Sequence, residues 1–217
     1  QPGAPFSIND IVPIANHLTE AGVVAVKADS PYKPIEELVA AAKEKGNLKA
    51  STNGNKASNH TAAQLLAKSA GFKYKAIPYG GTADQLLALR QGEVDFTCAK
   101  VADVAKLVKG DKPELRVLAV FNTKRDPELP NVPTLGEKGL YPEWYGSARA
   151  LVAPKGTKPE VIQYYVEAFK KTMQDPAVIE AHKKAGMALD FKDNKELGDL
   201  IKAQDKFARD VVNDLYK

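Results

Sequence analysis

The chain is 217 residues long, 44% hydrophobic and 27% charged, with 31 Lys and Arg against 27 Asp and Glu. That balance defines no polyanion-binding or membrane-surface class, and the length holds one large core or two modest ones. No window nears 18 consecutive apolar residues, which excludes a spanning helix, and a single Cys98 excludes an intrachain disulfide while leaving the redox compartment open.

The start, Gln1-Pro2-Gly3, has neither an initiating Met nor the apolar core of a signal peptide, so a segment upstream is expected to have been removed. From Gly22 strand and helix patterns alternate. Val23-Val24-Ala25-Val26 suits a buried strand. Ser30-Pro31 opens a predicted helix with Ile35, Leu38, Val39 and Ala42 on one face and Gly46 at its end. A strand over 48–52, a helix over 58–70, a strand over 74–78, a helix over 82–91, a strand over 94–98 and a strand over 115–121 follow. Strict alternation implies a mainly parallel sheet covered on both faces, and residues 22–121 read as a complete α/β domain.

After Asn122 comes a Pro-rich stretch with Pro127, Pro130 and Pro133. A strand over 148–153 then leads to a helix over 159–174 with Val161, Tyr165, Phe169 and Met173 on one face, a helix to Gly186, a strand over 187–191 and a long helix over 194–216. That helix points Leu197, Leu200, Ile201, Phe207, Val211 and Leu215 inward. Three amphipathic helices need more apolar sheet than two strands supply, so part of the sheet is expected from residues 1–22, from a partner chain or from residues outside this chain.

The strand-to-helix turns hold the most informative polar residues. In Ser51-Thr52-Asn53-Gly54-Asn55-Lys56-Ala57-Ser58-Asn59-His60, small hydroxyl and amide residues around one glycine let backbone N–H groups face an anion at a helix N-terminus. The plainer alternative is a capping loop in which Ser58 or Asn59 satisfies free amides. Pro78-Tyr79-Gly80-Gly81-Thr82 is a second such turn, with two glycines for close approach, Thr82 as a cap and the Tyr79 hydroxyl. Both open at the carboxyl edge of one sheet, where ligands of open α/β folds bind. The third turn, Thr97-Cys98-Ala99-Lys100, offers Lys100 to an acidic ligand, although a solvated lysine is the commoner outcome; Cys98 reads as a small buried residue. GxSxG, GxGxxG, the Walker lysine motif and HExxH are all missing, and His17, His60 and His182 are scattered without ligand spacing, so no catalytic site, metal site or cofactor is expected. Interleaved acids, with no basic face, argue against nucleic acid as a partner.

Several strings together carry a resemblance: Asp10-Ile11-Val12-Pro13-Ile14-Ala15, residues 51–60, Ile77-Pro78-Tyr79-Gly80-Gly81, Gly92-Glu93-Val94-Asp95, residues 115–120, Lys124-Arg125, residues 129–134 and Leu151-Val152-Ala153-Pro154. In this order, over nearly all of the chain, they resemble the TctC/Bug family, the solute-binding receptors of tripartite tricarboxylate transporters. The resemblance implies a two-lobed periplasmic-binding-protein type II architecture in the bacterial periplasm that catches a small organic carboxylate between lobes and delivers it to membrane permease subunits. Carried over residue by residue, the implied ligand-binding positions are Thr52, Asn53, Gly54, Ser58, Tyr79, Gly80, Gly81 and Thr82, followed by Ala99 and Lys100.

Departures from the family pattern are Lys56 where a second small residue, often glycine, is usual; Ala57 in place of Ser or Thr; Gly80 where a lysine commonly follows the tyrosine; Ala148-Arg149 where aromatic residues are frequent; and Ala99 where some members have an acid able to hold an ammonium. The last disfavours an amino-acid ligand. A family member also carries a segment before Asp10 on the order of 70 to 90 residues, most of half an ordinary domain. The expected architecture is therefore one complete lobe, 22–121, and a partial first lobe, 1–21 with 122–217. The alternative function is a truncated or degenerate paralogue acting through protein–protein contact, homo-oligomerisation or domain swapping. The effector domain of a transcription regulator shares the architecture but is disfavoured by the lack of a DNA-binding segment, and an enzyme by the lack of an assembled nucleophile, base and oxyanion donor.

Overall fold

The β-branched run at 23–26 is the inner part of a 17-residue strand, β1 (Ile11–Lys27), in a computed structural model that describes residues 5–187 and 189–216. The chain continues through α1 (Ile35–Lys45), β2 (Lys49–Thr52), α2 (Ser58–Ala70), β3 (Lys75–Pro78), α3 (Thr82–Gln91), β4 (Phe96–Lys100), a short α4 (Val101–Val104) and β5 (Leu115–Phe121). Then come β6 (Gly146–Pro154), α5 (Pro159–Met173), α6 (Pro176–Lys184), β7 (Leu189–Lys192) and α7 (Asn194–Phe207), which runs on through a π-helical turn, Ala208–Val212, into α8 (Asn213–Leu215). No helix among the described residues is long and apolar enough to cross a membrane.

Contacts divide the chain into two compact units, Gln1–Thr19 with Ala148–Lys217 and Glu20–Ser147. The sequence pattern sets the Pro-rich stretch after Asn122 apart from residues 22–121, whereas by contacts residues 122–147 cluster with them. A parallel bridge joins Val120 to Thr134, and the Leu135 amide donates to the Val120 carbonyl at 2.9 Å, which fixes that stretch along β5.

In the second unit the strands lie in the order β3-β2-β4-β1-β5. Strand β2 runs parallel to β3 and β4, while β1 is antiparallel to both β4 and β5. The sheet is therefore mixed, with β1 as the one reversed strand in its middle. Hydrophobic alternation does not encode direction, because a helix can return the chain to an antiparallel strand as readily as to a parallel one. Val23, Val24, Ala25 and Val26 are all fully buried, as a strand covered on both faces requires. Val23 and Ala25 join Leu86, Leu89, Val94, Val104, Leu115 and Val120 in one apolar cluster. Each Val or Leu side chain among them contributes about 1.5–3 kcal/mol on leaving water.

Helices α1, α2 and α3 end where the pattern predicts, at Gly46, Gly71 and Gly92, each with a positive φ. Their starts are less well anticipated. Helix α1 begins at Ile35 rather than at Ser30-Pro31, since Pro34 sits extended at its N-cap and the Ser30 hydroxyl instead accepts the Tyr32 amide. The N-cap of α2 is Ala57 and that of α3 is Gly81, and neither makes a side-chain cap bond, so Ser58, Asn59 and Thr82 do not cap as expected.

In the first unit the early part of β1 pairs antiparallel with β7, Asn16 opposite Lys192 and Leu18 opposite Leu189, and β6 also pairs with β1. Ile14, Ala15, Ala153, Ile162 and Val166 form its core, with Val12, Phe169 and Phe191 packed on it. Helix α5 therefore buries Ile162, Val166 and Met173, while Val161 and Tyr165, expected inward, face out. The helix carries two adjacent apolar ridges, and periodicity does not choose between them. Of the apolar side chains of the last helix, Leu197 is fully buried and Leu200, Ile201 and Phe207 are half-buried.

Gly146 marks the tightest backbone approach in the second unit. A Cβ there would lie 1.9 Å from the Glu20 carbonyl oxygen and 2.9 Å from Trp144 Cζ2. Gly46, by contrast, has open space around it but a φ of 66°. We expect Gly146→Ala to cost about 3 kcal/mol or more, through displaced backbone, and Gly46→Ala about 1 kcal/mol, through its left-handed conformation. Urea unfolding of both variants checks the ranking, and equal losses would contradict it.

Candidate functional site

Because β2, β3 and β4 run the same way, the loops after them open at one edge of the sheet. That edge gathers the three polar turns expected from the sequence.

The loop between β2 and α2 is held by its own side chains. The Thr52 hydroxyl donates to the Gly54 carbonyl at 3.3 Å, and Asn53 Oδ1 accepts the Asn59 amide at 3.3 Å, so the cap comes from six residues upstream. Lys56 has a φ of 57°, the one positive value at a described non-glycine residue. Glycine suits this left-handed conformation, and lysine holds it at some cost in strain. The Lys56 amide donates to His60 Nδ1 at 2.9 Å. Among the described hydrogen bonds the amides of Gly54, Asn55 and Ser58 have no intrachain acceptor, although Asn53, Gly54 and Ser58 are only half-exposed. These three amides, in the loop and at the first residue of α2, are a set of donors suited to an anion.

Lys100 is the largest difference from expectation. It is 4% exposed rather than solvated. Its Nζ donates to Asn59 Oδ1 at 2.6 Å and to Ser58 Oγ at 3.3 Å, placing an ammonium at the start of α2. Asn59 in turn donates through Nδ2 to Gln85 Oε1 at 2.9 Å, and Gln85 Nε2 reaches Thr97 Oγ1 at 2.5 Å and the Cys98 carbonyl at 2.6 Å. Thr97 and Ser51 exchange the last links, 2.9 Å each. A buried charge is tolerable only where its protons find acceptors, and this chain supplies them.

The second turn contributes backbone. The amides of Gly80, Gly81 and Thr82 have no intrachain acceptor among the described bonds. Tyr79 is anchored by its amide to the Thr52 carbonyl at 2.9 Å, but its hydroxyl donates to Glu93 at 3.1 Å, a residue beyond the far end of α3. Ala99 is fully buried in the apolar cluster and offers no surface to a ligand. Burial pushes the Cys98 thiol up to about 12, as befits an inert core residue.

Asn59 as an acceptor for Lys100, Gln85 and Tyr145 were not anticipated as site residues. Tyr145 is buried and its hydroxyl donates to the Ser58 carbonyl at 3.2 Å. Glu20, 5% exposed, lies on the same face of the sheet as Lys100, two residues along β1 from Gly22, the partner of Lys100 in the ladder. The one available signal was Gln85 as a polar residue on the apolar face of α3. A separate cavity of about 380 Å³, lined by Leu115, Val117, Leu129 and Pro130 among others, lies at the amino end of β5 and thus at the opposite edge of the sheet.

Comparison with known proteins places these features in a family. Residues 2–215 match the model of the tripartite tricarboxylate transporter family receptor, TctC. A Pseudomonas protein, "UPF0065 protein in tcbD-tcbE intergenic region", is 31% identical over 94% of this chain and 61% of its own length, so the chain spans about three fifths of that relative. Among solved structures, a TctC solute binding protein from Polaromonas superposes with a TM-score of 0.82 at 26% identity, over 97% of this chain and 72% of that one. MatC from Rhodopseudomonas palustris, solved with bound malate, superposes with a TM-score of 0.78 at 22% identity, over 96% and 71%.

The contact between Lys56 and His60 has a pH consequence. A backbone N–H can only donate, so His60 Nδ1 must be unprotonated, and burial lowers the His60 pKa from its ordinary value. The unfolded chain therefore takes up a proton below about pH 6.5 that folded His60 refuses, so the stability from neutral His60 is full above that pH and is lost as pH falls. We expect Lys56 amide exchange to quicken in step, and His60→Ala to flatten the stability–pH curve below pH 6.5. Parallel curves for the two proteins would contradict this.

Proposed function

The chain belongs to the tripartite tricarboxylate transporter receptor family, and on that premise we propose that its second unit binds a small organic carboxylate at the edge formed by the loops after β2, β3 and β4. The observation that carries the reading is the buried Lys100 ammonium bonded to Ser58 and Asn59 beside the unclaimed amides of Gly54, Asn55 and Ser58. A carboxylate takes two donors per oxygen, and helix-start amides, hydroxyls and an ammonium supply them without a guanidinium. Gly80, Gly81 and Thr82 supply a second set of amides. The malate bound by MatC is of the same chemical class. In this reading the protein is a periplasmic receptor that hands its ligand to the permease of a tripartite transporter, with no bond made or broken.

Nuclear magnetic resonance titration of the 217-residue chain with malate, succinate, adipate and citrate at millimolar concentrations tests it. The expected result is amide shifts concentrated at residues 53–60 and 79–82 with at least one acid. Lys100→Met should weaken that binding by about ten- to a hundredfold, the range of a lost charge-assisted hydrogen bond. Shifts absent throughout, or scattered over the surface, would overturn the proposal.

A second reading concerns the first unit, where Leu151, Val152, Val161, Tyr164, Tyr165 and Ile179 are exposed and Tyr164 is 69% so. In this reading these apolar side chains are covered by a second copy of the chain. Light scattering across a range of concentrations should show self-association in the isolated chain, and a monomer throughout would count against a second copy.

A further inference from the structure

His17 and His182 have no ligand spacing along the chain, yet in the first unit they meet. His17 lies on the early part of β1 and His182 in the last turn of α6, and both are half-buried. Their Nε2 atoms face one another at 2.5 Å, with the rings nearly perpendicular at 81°. In this arrangement the two ring nitrogens share a hydrogen bond, and the fold brings both to one place in the first unit.

The orientation of His182 is fixed from behind. Its Nδ1 lies 2.7 Å from the Val178 carbonyl oxygen, and since a carbonyl only accepts, Nδ1 carries the hydrogen and Nε2 the lone pair. Metal-ligating histidines are held in this way, by a backbone or carboxylate acceptor on the other ring nitrogen. Phe169 of α5 stands edge-on to His17 at 6.4 Å and 84°, limiting the tilt of that ring.

We propose that His17 and His182 form a two-imidazole site for a borderline divalent transition metal, Ni²⁺, Cu²⁺ or Zn²⁺, with water in the other coordination positions. Imidazole nitrogen suits these ions and not the hard cations Mg²⁺ and Ca²⁺. Metal–nitrogen bonds of about 2.0–2.1 Å in tetrahedral geometry set the two nitrogens about 3.3 Å apart. Metal binding therefore requires the rings to separate by under about 1 Å from their hydrogen-bonded spacing. No group of three or more His, Cys, Asp or Glu with metal-binding geometry exists among the described residues, so the protein's share is these two ligands. The negative end of α6 favours a cation at His182, while Arg149, close enough to act on His17, and the neighbouring Lys183 and Lys184 oppose one. Micromolar rather than nanomolar affinity is the expected balance. The site would tie β1 to α6 within the first unit.

Equilibrium dialysis of the 217-residue chain against NiCl₂, ZnCl₂ and MgCl₂, with metal analysis, tests the assignment, supported by thermal unfolding with and without Zn²⁺. The expected result is about one equivalent of Ni²⁺ or Zn²⁺, no Mg²⁺, and a raised melting temperature in Zn²⁺. His17→Ala and His182→Ala should each weaken binding at least about tenfold and abolish the thermal shift. His182→Ala, on a half-exposed helix face, keeps the test valid if the strand variant folds poorly. Ni²⁺ and Zn²⁺ bound equally well by His182→Ala, or not bound at micromolar free metal, would overturn it.

Discussion

The buried Lys100 amine must find acceptors within the protein, and the edge of the second unit formed by the loops after β2, β3 and β4 depends on that constraint. Its ammonium donates to Asn59, Asn59 to Gln85, and Gln85 to Thr97 and the Cys98 carbonyl, so α2, α3, β2 and β4 are joined by one line of polar atoms inside an apolar shell. Removing one member leaves the others buried and unmatched, which costs more than the bond itself contributes. The line thus sets both the position of the two loop-bearing helices and the charge presented at the start of α2.

Much of this was legible in residue order, for reasons that differ from element to element. The strand at 23–26 and the helices ending at Gly46, Gly71 and Gly92 follow from β-branched runs, apolar spacing and left-handed termini, all local properties. The direction of β1 is not local. It depends on pairing with β4 and β5, about 75 to 95 residues away, and nothing in Val23-Val24-Ala25-Val26 distinguishes parallel from antiparallel neighbours. The ridge that α5 buries is likewise decided by β1 and β6 rather than by its own spacing.

The candidate site divides along the same line. The loops were recognisable because Gly, Asn and Ser at a strand-to-helix junction have one physical meaning, and because the whole string resembles a family. That Lys100 turns inward to Asn59 was hidden, since a lysine after a strand is ordinarily solvated and its burial rests on acceptors drawn from α2 and α3. Tyr79 shows the converse: its hydroxyl was available on paper and is spent on Glu93. His17 and His182 meet across 165 residues of sequence, a separation no local spacing rule reaches.

The central place of β1 also bears on how the chain reaches its fold. Gly22 to Lys27 contains the apolar run Val23-Val24-Ala25-Val26, and its partners are residues 97–100 on one side and 115–121 on the other. At a synthesis rate of about 5–20 residues per second, roughly 4 to 15 s pass between the emergence of this run and that of its first neighbour. For that interval this apolar run is without the strands of this chain that flank it in the fold, β4 and β5, and an apolar strand in that state is exposed to pairing with other chains.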